Sequence, residues 1–177
     1  HQNLKNYLSE FRVISDTVNI MDGYIINFGV FFDVVANKFA DKKEVKLKCI
    51  EVIKQFFNVD KFQFKQPIYS TDVEFELMNV EGVRNVNYVC LSQFTNFLDG
   101  NGDSFDFPLF DVVMSSGFAE PRDALSTNNY GYQYDFSQFY NTVSGPAVAG
   151  NGVILPSASP AVFELKDPNR NIKGVVR

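Results

Sequence analysis

The first half of the chain alternates between two hydrophobic periods. Residues 24–35 are almost continuously apolar, and alternate positions form one face: Ile26, Phe28, Val30, Phe32 and Val34. Ile25, Phe31 and Val35 occupy the other face of the same segment. A period of two with apolar residues on both faces predicts a central strand that is covered on both sides.

The next segment follows the helical period. Asp41 with Glu44 three residues later is typical of a capping box, which predicts the start of a helix. The apolar positions then fall on one stripe: Val45, Cys49, Val52, Ile53 and Phe56. At the N-terminus, a shorter stripe predicts a small amphipathic helix: Leu4, Tyr7, Leu8 and Phe11.

A second helix and a second strand complete this module. Thr71 with Glu74 predicts the helix start, and the apolar side is Val73, Leu77 and Met78. Gly82 is placed to end the helix in a left-handed conformation. Residues 83–91 alternate again, so we expect a strand–helix–helix–strand unit whose two strands share one sheet.

The amino-acid composition changes after Leu91. Residues 92–177 hold most of the Gly, Pro and Ser, with short apolar pieces between them. This predicts an α+β fold: residues 1–91 form the α+β module with a short N-terminal helix, and residues 92–177 form a β/loop-rich, aromatic-rich region packed on it. The alternation of residues 161–166 predicts a strand, which nearby prolines limit to a sheet edge.

Composition and charge exclude several classes of function. The net charge is −5, and the densest basic stretch (Lys42, Lys43, Lys46 and Lys48) is interrupted by Glu44, so we expect a solvated helix face and no nucleic-acid binding. We expect no membrane insertion, because no apolar run approaches the roughly 20 residues that span a bilayer. The chain begins at His1, without an initiating Met, which predicts a piece of a longer protein.

The sequence contains little evidence for a catalytic site or a metal-binding site. The single histidine, His1, lies at a terminus and offers no general base, so we expect no enzyme activity and no small-molecule substrate. Cys49 and Cys90 are too few for a zinc site, and we expect two buried thiols. Residues 99–106 suggest a calcium loop, but Ser104 and Phe110 replace the required Gly and Glu. We therefore predict a polar turn, no metal and no cofactor.

Two stretches resemble a known family. Residues 24–91 contain YIINFGVFFDVVANKFADKKEVKLKCIEVIKQFF followed by QPIYSTDVEFELMNVEGVRNVNYVCL, which is similar to the module of baseplate J-like proteins. Residues 151–177, NGVILPSASPAVFELKDPNRNIKGVVR, resemble the C-terminus of baseplate wedge subunits in T-even-type bacteriophages. Together the two stretches cover about half of the chain.

The resemblance implies a structural protein of a contractile tail baseplate. Such subunits form dimers that join into a ring around the tail hub, so the implied partners are further copies and other wedge proteins. The implied location is the virion, assembled in the host cytoplasm. The resemblance supplies no catalytic residues.

Aromatic residues are the candidates for the contact between copies, because aromatic side chains are enriched at interface centres. The candidates are Tyr130, Tyr132, Phe136, Phe139, Tyr140 and Phe163. Two alternatives stay open: the rings close the chain's own second core, or the segment 130–140 stacks on sugars in a carbohydrate- or receptor-binding tail module.

Overall fold

The main sheet is built around one long strand. The computed structural model describes residues 2–11, 20, 23–92, 96–98, 104–106, 134, 136–139, 152–156 and 161–177. The helices are α1 (Gln2–Ser9), α2 (Lys42–Phe56), α3 (Ser70–Met78) and α4 (Pro168–Asn171). The strands are β1 (Tyr24–Ala36), β2 (Ile68–Tyr69), β3 (Val83–Ser92), β4 (Asn96–Leu98), β5 (Ser104–Asp106), β6 (Val153–Ile154), β7 (Ala161–Leu165) and β8 (Ile172–Val176). Short 3-10 turns occupy Val59–Lys61 and Phe136–Phe139.

Strand β1 is paired along both of its edges. β3 pairs antiparallel with residues 29–36, whereas β7 and β8 pair in parallel with residues 24–28 and 30–34. Because β3 and β8 share the stretch 30–34, they must lie on opposite edges of β1. Residues 26–34 are buried without interruption. The predictions of a central strand covered on both faces, and of two module strands in one sheet, are confirmed.

Helix α2 forms as its pattern predicts. The Asp41 carboxylate accepts a hydrogen bond from the backbone N–H of Lys43 at 2.9 Å, which caps the first turn. Val45, Cys49 and Ile53 are buried, while Val52 and Phe56 pack against the core at its margin. Phe57 follows the last turn and meets the β1 residue Phe28 with ring centroids 5.1 Å apart.

Helix α3 begins differently from the prediction. Tyr69 is the N-cap and makes no side-chain capping bond, so the capping role of Thr71 is wrong. Ser70 instead donates from its N–H and its hydroxyl to the carbonyl oxygen of Gly152, at 2.9 and 3.1 Å. Val73 and Leu77 are buried, but Met78 is 52% exposed. Met78 follows Val73 by five positions and Leu77 by one, which turns it about 140° and about 100° away from these two buried residues around the helix.

Gly82 has the predicted left-handed backbone but another role. Helix α3 ends at Met78, and Gly82, with φ +94°, lies in the turn that starts β3. A Cβ at this position would stand 2.7 Å from Cγ2 of Val45. The glycine therefore lets the turn approach α2 closely.

The C-terminal region is part of the same sheet. The expected boundary at residue 91 falls inside β3, and β7 and β8 add to β1. β6 pairs antiparallel with β2. Ala161, Phe163 and Leu165 are buried and the residues between them half-buried, which confirms the predicted alternation of β7. The fold class is α+β, as predicted.

Strands β4 and β5 pair antiparallel, with Phe97 opposite Phe105. The residues between them, 99–103, lie outside the described residues, and so does the greater part of the calcium-like segment. The polar turn predicted there stays a prediction.

Candidate protein-contact surfaces

Two of the predicted contact aromatics belong to the core. Phe136 and Phe163 are each 2% exposed, and their ring centroids lie 6.2 Å apart. Both also meet Phe28 of β1, at 6.3 and 6.1 Å. Rings that fill the space beneath the chain's own sheet cannot meet a second copy, so their assignment to an interface is wrong.

The other predicted aromatics divide into two groups. Phe139 is half-buried and stacks on Tyr134 with centroids 6.2 Å apart. Tyr134 is buried, and its hydroxyl donates to the carbonyl oxygen of Leu155. Tyr130, Tyr132 and Tyr140 lie outside the described residues. The described part of the cluster therefore closes the core, which is the alternative that the sequence left open.

Large apolar side chains are exposed elsewhere, on α3. Phe75 is 64% exposed and Met78 is 52% exposed. Asp72 and Glu76 are exposed beside them. We call these four residues the acidic patch. Burial raises the pKa of the neighbouring Glu74 carboxyl, which lies half-buried on the same helix.

Helix α2 carries lysines on its exposed side. Leu47 is 67% exposed, and Lys42, Lys43 and Lys46 are exposed on the same helix. Glu44 and Glu51, three positions before and four positions after Leu47, are exposed as well. The exposure of the lysines confirms the predicted solvated helix face, and Leu47 lies among charges of both signs.

Lys48 differs from Lys42, Lys43 and Lys46 in having two carboxylate partners. Its ammonium lies 2.8 Å from the carboxylate of Glu44 and 3.1 Å from that of Glu81. Hydrogen bonds to Glu44 and then Glu81 raise the pKa of Lys48. Because Glu81 follows α3, this pair marks the side of α2 that faces α3.

An ion pair between an exposed arginine and a buried carboxylate holds the C-terminal strand. Asp33 of β1 is 2% exposed, and its Oδ2 accepts from Nη2 and Nε of Arg177 at 2.9 and 3.0 Å. Its Oδ1 accepts from Nδ2 of Asn87 at 2.9 Å. The backbone continues the ladder, since the Arg177 N–H donates to Val34 and the Ala36 N–H donates to Arg177. With both carboxylate oxygens engaged, the arrangement is suited to holding strands together.

Tyr88 lies beside this pair on β3, opposite Asp33. Burial first, and then the negative charge of Asp33, raise the pKa of the Tyr88 phenol. This cluster was not predicted from the sequence. The available signal was a carboxylate inside an apolar strand, because a buried charge requires a partner.

Both thiols are buried, as predicted: Cys49 is 0% and Cys90 1% exposed. Burial raises the pKa of the Cys49 thiol to about 11, so it stays protonated near neutral pH and is a poor nucleophile.

Two features are absent from the part of the chain that the structure describes. It contains no group of three His, Cys, Asp or Glu side chains placed to hold a metal ion, and no helix long and apolar enough to span a bilayer. No protein-family model and no curated protein matches the chain.

Proposed function

We propose that this chain is a structural subunit of a contractile phage tail baseplate wedge, acting through contacts with further copies and with neighbouring wedge proteins. The observation that carries the proposal is how the two stretches that resemble baseplate proteins meet. Residues 24–91 and 151–177 are distant in sequence, yet β1 pairs with β7 and β8, and β2 pairs with β6. The two stretches that carry the resemblance therefore belong to one folded unit.

The exposed apolar side chains of α2 and α3 suit a role in protein contacts. Leu47, Phe75 and Met78 lie on two helices that pack against each other and against the strands of the main sheet. Because the backbone of such a support is already ordered, no further backbone ordering is needed when a partner covers these side chains. In this proposal the chain carries no catalytic site and resides in the virion.

Association with wedge proteins tests the proposal. The purified chain, mixed with the other baseplate wedge proteins of its own phage, is expected to form complexes of defined stoichiometry in native mass spectrometry. A matched mixture with the capsid protein of the same phage is the control. A chain that stays monomeric at high micromolar concentration and binds no wedge protein would contradict the proposal. Specific binding to a glycan array would favour the carbohydrate-binding module instead.

A further inference from the structure

The connection between β7 and β8 is longer than the gap that it bridges. Leu165, the last residue of β7, pairs with Phe28. Ile172, the first residue of β8, pairs with Val30, which lies only two residues further along β1. Six residues, 166–171, make this short step. Because six residues reach roughly 20 Å when they are fully extended, the connection is long enough to carry β8 to a neighbouring molecule.

Two features of this connection disfavour its folded-back form. Asp167 has a left-handed backbone, with φ +44°, although it directly precedes Pro168, and the residue before a proline favours an extended backbone. Asn171 is 0% exposed and donates from Nδ2 to the carbonyl oxygen of Lys166, but within the described part of the chain its Oδ1 accepts no hydrogen bond. An extended connection removes the strain at Asp167 and releases Asn171 from α4, so that water can reach its side chain.

The edge of β1 that β8 covers fits this particular strand. The buried carboxylate of Asp33 accepts from the guanidinium of Arg177. The ring of Phe32 occupies the space that Gly174 leaves open, since a Cβ there would stand 2.3 Å from the ring. A second copy has a β8 of identical sequence and makes the same contacts, so its fit to this edge is already visible in the structure.

We propose that copies of this chain exchange β8, so that the last strand of one copy pairs with β1 of a second copy. Every contact of β8 with β1 is retained in the exchanged form. The two forms therefore differ mainly in the connection 166–171, whose strain favours exchange. Reciprocal exchange between two copies gives a closed dimer. Because further copies are among the partners of the proposed function, the exchange rests on that proposal and names the segment that joins them.

The packing of Gly174 against Phe32 provides a test by complementation. Gly174→Ala forces a methyl group against the ring, whereas Phe32→Leu leaves space at the same place. In a single chain, and in a dimer of identical variants, the clash or the space remains. When the two variants exchange β8 with each other, the enlarged strand of one meets the enlarged space of the other. The second contact of that mixed dimer is the contact of the parent.

The two variants are unfolded in urea at high concentration and refolded together, because exchange requires β8 to leave its own sheet. Native mass spectrometry is expected to show mixed dimers above the proportion that random pairing gives. These mixed dimers are expected to melt about 2–4 °C above the dimers of either variant alone. Refolding Gly174→Ala with Val73→Ala, a buried position on α3, is the control. It should give neither effect, because no arrangement of those two chains relieves the clash at position 174.

Substitutions at Asp167 test the connection. Glycine adopts the left-handed backbone readily, so Asp167→Gly favours the folded-back form, and the fraction of dimer after refolding is expected to fall by roughly threefold or more. Asp167→Val should raise that fraction, since a β-branched residue avoids the left-handed region more strongly. Asn169→Gly, at an exposed position in α4 of the same connection, is the control and should not lower it.

The outcomes separate strand exchange from the proposed function. A parent that dimerises, with random pairing and no gain in melting temperature in the mixture, overturns the exchange and leaves the baseplate proposal standing. A monomeric parent that still binds wedge proteins does the same. A parent that binds neither its own copies nor wedge proteins overturns both. Stabilised mixed dimers support the exchange, and if Gly174→Ala does not fold alone, its recovery on refolding with Phe32→Leu gives the same evidence.

Discussion

Asp33 places a carboxylate within an otherwise apolar strand, and its hydrogen bonds connect three strands of the sheet. Asn87 belongs to β3, and Arg177 directly follows β8. A buried charge is tolerated only when it is paired and hydrogen-bonded. Asp33 and Arg177 therefore help to hold β8, the C-terminal strand, beside β1.

Replacing Arg177 tests this ion pair. Arg177→Ala leaves the buried carboxylate with Asn87 as its remaining side-chain donor, and loss of one partner of a buried pair costs ~3–5 kcal/mol. Because the Arg177 side chain is 68% exposed, water replaces part of the interaction, and we expect a loss of about 2 kcal/mol. Urea unfolding measures it. Arg84→Ala, at an exposed position on β3, should change stability by less than ~0.5 kcal/mol. Equal effects of the two substitutions would contradict the assignment.

Gly174 is required for a different reason, namely space. It lies opposite Phe32 across the β1–β8 pair, and a Cβ at this position would stand 2.3 Å from the Phe32 ring. Gly174→Ala forces the buried ring to move, and such overpacking costs about 1–3 kcal/mol. Adding Phe32→Leu makes room, so the double variant should lose less stability than the two single losses added together. Strict additivity in thermal melts would show that the two residues do not compete for the same space.

At the level of elements, the hydrophobic pattern predicted β1 and α2 because each has a local signal in the sequence. β1 is a nearly continuous apolar run, and α2 has an apolar stripe that follows a capping residue. Phe136 carried no such signal. It lies in a one-turn 3-10 segment, and its burial depends on Phe28 and Phe163, which are remote in sequence. For the same reason the sequence did not reveal that Ser70, rather than Thr71, anchors the start of α3.

Helix α2 offers a paired test of its orientation. Ile53 is 1% exposed and Leu47 is 67% exposed on the same helix. Ile53→Asp buries an unpaired charge, which should cost several kcal/mol and lower the melting temperature sharply. Leu47→Asp introduces the same side chain at a solvated position and should leave melting within a few degrees of the parent. If both variants melt alike, the assigned buried face of α2 is wrong.

At the scale of the whole molecule, the sequence suggested a module followed by a second region packed on it. The structure joins the two more closely, because Val30 of the first region pairs with Ile172 of the second. The alternation of apolar and polar residues predicts that residues 161–166 form a strand, but it does not predict which strand they pair with. Pairing across more than a hundred residues depends on the match between two surfaces, and a single sequence does not display that match.

This joint sheet predicts that the C-terminal strand is needed for folding and the N-terminal helix is not. Deleting residues 166–177 removes β8, uncovers the backbone of β1 at residues 30–34 and leaves Asp33 without Arg177. We expect the shortened chain to lose its cooperative thermal transition, since a buried strand edge without hydrogen-bond partners is costly. Deleting residues 2–11 is the control, because α1 contributes no buried residue. The melting temperature of the chain without these residues should stay within a few degrees of the parent's.

A peptide of residues 166–177 supplied in trans distinguishes a missing strand from general damage to the chain. If the empty edge of β1 is the defect, the peptide should restore a cooperative transition to the shortened chain in a concentration-dependent manner. A version of the peptide with Val175→Pro should fail, because proline removes a donor from the ladder. The N–H of Val175 faces β1, as does the N–H of Arg177 two residues later, which donates to Val34. If the shortened chain melts cooperatively without any peptide, β1 is stable with only β3 and β7 beside it. The prediction that the sheet needs β8 would then be wrong.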